Sequence, residues 1–218
     1  QRSEPATFGQ QLSVLAQPRL LLVYAITALG YGGTFLSFTY LASILQDVTG
    51  LSANAVSGVL LVYGISVAFG NVWGGRLADR LGPIPALKRI FALLALVLLV
   101  LTFTAYNTWL VLLTVLALGA VAFGNVPGLQ VYVVKQAQRY APQATDVASG
   151  LNIAAFNIGI ALGASLGGLV VEHIGLMHTP WLGALVVVGA YGLTVLSGRL
   201  DRRDGIDDRA EGITIAAH

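Results

Sequence analysis

The chain reads as six long apolar stretches separated by short polar ones. They run from Leu20 to Leu45, Ser52 to Trp73, Ile90 (or already Ala86) to Tyr106, Thr108 to Val134, Val147 to Val171, and Pro180 to Ser197. Each is close to the roughly 20 residues that a helix needs to cross a hydrocarbon core about 30 Å thick. None contains a Lys, Arg, Asp, Glu or His within its apolar part, the third counted from Ile90. Apolar runs with no polar face are not surface helices of a soluble domain, and the Gly residues inside several of them are ones that membrane helices tolerate. The pattern predicts an all-α membrane protein with six transmembrane helices over 20–198. A linker at 1–19 precedes the bundle and a polar tail at 199–218 follows it.

Composition agrees. Of the 218 residues 56% are hydrophobic and 10% charged, where a soluble domain has about 25% charged. The mean hydropathy is +0.78 and the formal net charge is +2. These values exclude a disordered chain, a nucleic-acid binder and an ordinary cytosolic enzyme. With no Cys there is no disulfide framework, thiolate metal site or cysteine nucleophile.

The basic residues matter through their placement. Arg2 and Arg19 precede the first stretch. Arg76, Arg80, Lys88 and Arg89 lie between the second and third, and Lys135 and Arg139 between the fourth and fifth. Arg199, Arg202, Arg203 and Arg209 follow the sixth. The alternate connections carry Asp47, Glu172, His173 and His178 but no Lys or Arg. The positive-inside rule therefore puts both termini in the cytoplasm, in the cytoplasmic (inner) membrane of the cell, with Trp109 and Trp181 at outer helix ends and Trp73 at an inner one.

After Trp73 the chain reads Gly74-Gly75-Arg76-Leu77-Ala78-Asp79-Arg80-Leu81-Gly82. Read as a loop, its Gly pair lets a helix end near a neighbour, and Gly82 suits a positive φ. Asp79 is placed to cap a helix N-terminus, and Arg76 and Arg80 to pair with carboxylates or lipid phosphates. A plain charged turn is the other reading.

This loop, with Phe38-Thr39-Tyr40-Leu41, Val48-Thr49-Gly50-Leu51-Ser52 and Gly70-Asn71 before it, resembles the seventh and eighth helices of a major facilitator superfamily transporter. It looks most like the drug:proton antiporter branch that includes the arabinose-efflux-permease-like proteins. The run Ala148-Ser149-Gly150-Leu151-Asn152, Phe156-Asn157, Gly159, Gly163, Gly167 and Gly168 resembles the eleventh helix of that branch. There are two departures. Pro83-Ile84-Pro85 stands where the family's loop usually continues with basic residues, and Ser43 where the branch often has Pro. The resemblance covers about Pro18 to Arg203 and implies the C-terminal six-helix half of a twelve-helix fold. The chain begins at Gln1 without an initiator Met. By resemblance Gln1 to Gln17 belong to a central cytoplasmic linker, and the partner is an N-terminal six-helix half that carries its own loop and antiporter motifs. Gly75, Arg76, Asp79, Arg80 and Gly82 would then form a conformational loop motif.

Tyr24, Thr27, Tyr31, Thr34 and Phe38 recur at helical spacing and form one stripe. Rings with hydroxyls suit amphipathic or cationic organic ligands; an aromatic-filled helix contact is the alternative. By resemblance the seventh helix lines the central cavity. In the fourth span Pro127 removes a backbone donor and leaves carbonyls near Phe123 unpaired, which predicts a kink. Asn125 and Gln130 either repair those groups or face the cavity, and the resemblance implies a gating, cavity-lining helix. In the fifth span Gly159, Gly163 and Gly167 form a small-residue row that lets a second helix approach closely, with Asn152 on the same side. Asn157, Ala161, Ala164 and Gly168 form a second small face. Asn152 and Asn157 are either structural or in contact with substrate. The resemblance puts the eleventh helix at the boundary between halves, so the glycine row is expected to face the missing half. The third and sixth spans, rich in Leu and Val, read as peripheral supports.

Enzyme motifs are not found: there is no G-x-S-x-G, HExxH or Walker loop. No cofactor and no metal are expected. Glu172, His173 and His178 read as solvated loop residues. No stretch holds an acid of the kind a proton relay needs, so a coupling carboxylate is expected in the missing half. The function these readings support is efflux of a small organic solute such as a drug or sugar, proton-coupled, by alternating access. A six-helix scaffold or interaction module without transport is the alternative. The partners are the N-terminal half, the bilayer and a small organic substrate, and no nucleic acid.

Overall fold

Helix starts are set by local chemistry. Pro18 and Pro83 open α1 (Pro18–Phe38) and α3 (Pro83–Thr104), where their missing N–H costs nothing. The Ser52 hydroxyl accepts from the Ala55 N–H and starts α2 (Ala53–Leu81). The Asn107 side chain accepts from the N–H groups of Trp109 and Leu110, at 3.0 and 3.1 Å, and starts α4 (Thr108–Ala122). The remaining helices are α5 (Asn125–Tyr140), α6 (Thr145–His173) and α7 (His178–Arg203). This computed structural model describes Gly9 and residues 14–205. The other residues of the expected linker, Arg2 among them, and residues 206–218, with Arg209, lie outside the described residues. Six helical segments are long and apolar enough to cross a membrane, α4 and α5 counting as one, and no strand occurs among the described residues.

The helices outrun the apolar stretches. Gly74 to Leu81, expected as a loop, is the end of α2. Gly82 alone makes the turn into α3, at φ 81°. An apolar pattern ends where the bilayer ends, but hydrogen bonding along a helix continues through Arg76, Asp79 and Arg80, none of which breaks it. α7 likewise runs on to Arg203. The first span is interrupted at Thr39–Tyr40 and closes in a π-helical segment, Ile44–Val48. The kink expected at Pro127 is a break at Phe123–Gly124. The Phe123 carbonyl, which residue 127 cannot serve, accepts instead from the Val126 N–H at 3.2 Å.

Two small-residue seams hold the bundle. On the first, Ala28, Gly32 and Leu36 of α1 meet Gly159, Gly163 and Gly167 of α6 in parallel register. A Cβ on Gly159 would lie 2.5 Å from the Ala28 carbonyl oxygen, and one on Gly167 2.6 Å from that of Leu36. A Cβ on Gly163 would overlap the Gly32 carbonyl. The glycine row therefore faces α1 of this same half, which corrects the expectation that it faces the missing half. The reason is register: α1 carries its own small residues at the same four-residue interval. On its other side α1 meets α7, where Gly33 and Gly183 touch. On the second seam, Gly70 and Gly74 of α2 lie against Ala120 and Gly124, at the α4–α5 break.

α3 buries a stripe of large side chains from Ile84 to Leu101 and packs on α7 and α4. The least buried spans are α2 and α6. α3 and α7, expected as peripheral supports, expose Leu93, Leu96 and Phe103, and Leu185, Val188 and Leu196, respectively. α2 exposes Leu61, Ile65, Phe69 and Val72, and α6 exposes Ile153, Ile158, Leu162 and Leu166. Successive spans alternate in direction, so every described Lys and Arg falls at one end of the bundle, called here the basic end.

Candidate functional site

Six aromatic rings from four places in the fold meet inside the bundle. Tyr31, Phe35 and Phe38 come from α1, Tyr63 from α2, Phe123 from the α4–α5 break and Phe156 from α6. Tyr31 is central. Its ring stacks near Phe35 at 6.2 Å between centroids and meets Phe123 and Phe156 edge-on at 5.9 and 4.4 Å. Phe35 continues to Phe38 at 5.3 Å, and Phe38 stacks on Tyr63 at 4.9 Å. Edge-on and offset pairs are the arrangements ring quadrupoles favour. The tyrosine rings are 3% and 5% exposed, yet neither the Tyr31 nor the Tyr63 hydroxyl has a hydrogen-bond partner. Both amide atoms of Asn125, fully buried two residues after Phe123, are also unpartnered. Buried polar groups in an apolar medium are normally satisfied. Unpaired groups at such a cluster are what a site for a polar organic molecule offers.

On the Asn152 side of the bundle a polar chain crosses three helices. The Thr27 hydroxyl of α1 donates to the Asn152 Oδ1 of α6 at 2.7 Å. The Asn152 Nδ2 in turn donates to the Gln130 Oε1 of α5 at 2.8 Å. Thr27 and Asn152 are fully buried, whereas Gln130 is half-buried.

The structure divides the sequence-predicted set. Tyr31 and Phe38 join the ring cluster; Thr27, Asn152 and Gln130 form the polar chain. Tyr24 is half-buried with an unpartnered hydroxyl. Thr34 turns onto its own helix and donates to the Gly30 carbonyl at 2.8 Å. Asn157 is exposed and donates to the Ile153 carbonyl at 3.0 Å. Of its small-residue face, Ala164 accepts from the Tyr40 hydroxyl at 2.9 Å, and Gly168 leaves room for that same group. Phe35, Tyr63, Phe123 and Phe156 were missed as cluster members. Phe35 lies four residues after Tyr31, a spacing that would have placed it beside the stripe; no signal on α2 marks Tyr63.

Arg76, Asp79 and Arg80 are exposed on the last turns of α2. Asp79 caps no helix N-terminus; the residue before α3 is Gly82, with no side-chain cap. Glu172 and His173 are exposed at the end of α6. His178 accepts from the Trp181 indole N–H at 3.0 Å. No group of three or more His, Cys, Asp or Glu that could hold a metal occurs among the described residues.

The family model of the Major Facilitator Superfamily matches residues 1–151. Among relatives, YtbD of Bacillus subtilis, described as an uncharacterized MFS-type transporter, is 55% identical over 91% of this chain and 50% of its own length. The inner membrane transport protein YdhP of Escherichia coli K12 is 36% identical over 87% of this chain and 48% of its own. A probable sugar efflux transporter of Pasteurella multocida is 31% identical over 84% and 44%. The chain thus spans about half the length of these curated relatives. A multi-pass membrane protein with six apolar spans, in keeping with half of a facilitator fold, this chain belongs to the Major Facilitator Superfamily.

Proposed function

We propose that the chain is the C-terminal half of a secondary active transporter that exports a small organic solute, coupled to protons, by alternating access around a midplane site. The observation that carries this reading is the ring cluster with its unpartnered Tyr31 and Tyr63 hydroxyls. The rings supply stacking and cation–π surface, and the Thr27–Asn152–Gln130 chain supplies hydrogen bonds beside them. Tyr24, Thr34, Phe38 and Asn157 complete the proposed cavity set. The exposed apolar faces of α2 and α6 are the docking faces for the N-terminal six-helix half. Similarity to proteins described as probable sugar efflux transporters supports a sugar among the substrates. No Asp or Glu lies between Leu51 and Leu77 or between Phe91 and Gln138, so the coupling carboxylate belongs to the other half. The basic end faces the cytoplasm of a cell whose inner membrane holds the protein, by the positive-inside rule. The motif from Gly75 to Gly82 serves as a conformational element there.

Transport into everted membrane vesicles tests the reading, with the complete transporter, arabinose and ethidium as probes, and respiration as the energy source. The expected result is energy-dependent uptake of at least one probe that a protonophore abolishes and Tyr31→Ala reduces at least tenfold at normal expression. No energised uptake of either probe, or full activity in Tyr31→Ala, would overturn it.

A further inference from the structure

At the basic end the bundle buries one carboxylate. Asp201, in the last turn of α7, is 4% exposed and is the only buried ionisable acid among the described residues. It follows the sixth apolar stretch, in a segment that reads as a solvated tail. Its Oδ1 accepts from the Arg19 Nη2 at the start of α1 and from the Gln136 Nε2 of α5 at 2.9 Å. Its Oδ2 accepts from the Tyr132 hydroxyl of α5 at 2.7 Å, and that hydroxyl also lies 2.6 Å from the Ser197 Oγ. A second layer surrounds this one. The Asp204 Oδ2 accepts from the Tyr140 hydroxyl at 2.7 Å and lies 3.2 Å from the Arg19 Nη2. The Arg139 Nη2 donates to the Asp204 carbonyl at 2.9 Å. The Arg19 guanidinium sits over the Tyr140 ring, 5.8 Å from its centroid. The Gln17 Nε2 donates to the Tyr140 carbonyl at 3.3 Å, and Val14 before it is fully buried.

A buried carboxylate is tolerated only when it is paired and hydrogen-bonded, and here the donors come from different helices. The Asp201 oxygens are therefore satisfied only while α1, α5 and α7 keep this arrangement. Buried ion pairs contribute little net stability but strongly penalise the arrangements that break them. The helix with most to gain is α5. The break at Phe123–Gly124 interrupts the helix between α4 and α5, a place where the direction of α5 can change relative to α4. Tyr132, Gln136, Arg139 and Tyr140, its basic-end half, are the residues the network grips.

We propose that Asp201 is a positioning residue. It clasps the basic-end half of α5 to the start of α1 and the end of α7, so that α5 moves with those helices and with the segment entering α1, while α4 lies across a hinge. Gln130, on the clasped helix, is thereby kept in reach of Asn152, and a pull on the chain before Pro18 is passed to α5. The inference stands whether or not the transport reading holds.

Spin-label distances in the protein test it; the chain has no native Cys to remove. Labels at Leu113→Cys on α4 and Gln138→Cys on α5, both exposed, span the break. Labels at Leu99→Cys and Leu113→Cys report on α3 and α4 away from the clasp. Asp201→Asn is expected to widen the 113–138 distance distribution at least twofold and to leave the 99–113 distribution unchanged. Should Asp201→Asn not fold, Tyr132→Phe, which removes one donor and keeps the ring, is read on the same pairs and should widen 113–138 alone, by a smaller factor. An unchanged 113–138 distribution overturns the proposal. So does equal widening of both pairs, because a merely stabilising contact loosens the bundle everywhere.

Discussion

The α1–α6 and α2–α4/α5 seams use the same device and differ in what surrounds it. Both bring parallel helices together through residues without side-chain bulk: Gly32 against Gly163 in one, Gly74 against Gly124 in the other. The first seam is also pinned by polar bonds, from Thr27 to Asn152 and from Tyr40 to Ala164. Its helix α1 is held on the far side by α7, through Gly33 and Gly183. The second seam lies on a helix break, and α2 is otherwise exposed. Close approach sets distance, but bonds and neighbours on both sides set whether a helix can move away. α1 is enclosed, whereas α2 can give.

The largest expected effect follows from that enclosure. Gly163→Leu would drive a side chain into the Gly32 backbone, and α1 cannot retreat because α7 backs it. Overpacking of this kind costs about 3 kcal/mol, or more where backbone is the obstacle. A large fall in unfolding midpoint in detergent is the expected result. A midpoint within a few degrees of the parent would mean that the row is not a contact within this half.

Gly74→Ala sharpens the comparison from the other side. Its Cβ would overlap the Gly124 backbone more deeply than one at Gly163 overlaps Gly32, but within this half α2 can shift outward and Ala favours the helix. The net loss is expected at about 1 to 2 kcal/mol, the low end for overpacking. The same unfolding measurement decides, and a loss equal to that of Gly163→Leu would show the two seams to be equally enclosed.

These cases show what the sequence carried. The six spans were legible because lipid demands unbroken apolar length, and Pro127 announced the disturbed helix. The row at Gly159, Gly163 and Gly167 was legible as a packing face but not in its partner. A four-residue repeat defines a surface, and several helices offered one to match. Phe156 and Tyr63 escaped because each belongs to the cluster only through contacts distant in sequence. Asp201 escaped because a carboxylate four residues beyond an apolar stretch looks solvated until Arg19 and Tyr132 arrive from elsewhere.

Asn152→Leu removes the Thr27 pin of the seam and the bond to Gln130 of α5, and keeps the glycine contact and the Tyr40–Ala164 bond. It leaves the Thr27 hydroxyl and the Gln130 amide without their shared partner. Hydrogen bonds between membrane helices contribute about 0.6 kcal/mol on average, up to about 1.7, so two of them predict a loss of about 1 kcal/mol. Unfolding of Asn152→Leu in detergent checks this. A loss matching that of Gly163→Leu would make the bonds, rather than the close approach, the stronger half of the seam.

The smallest effect separates glycines that pack from glycines that do not. Gly64 lies on α2 between Tyr63 and Ile65, six residues before Gly70, and a Cβ there meets nothing within 4 Å. Ala at that position costs no contact in this half. It also restricts the unfolded chain and favours the helix, together about 0.4 to 1 kcal/mol. Gly64→Ala is therefore expected to leave the unfolding midpoint unchanged or slightly raised. A fall comparable to that of Gly74→Ala would mean that α2 is tightly packed around Gly64 within this half as well, and its freedom to give there, on which the contrast with α1 rests, would be lost.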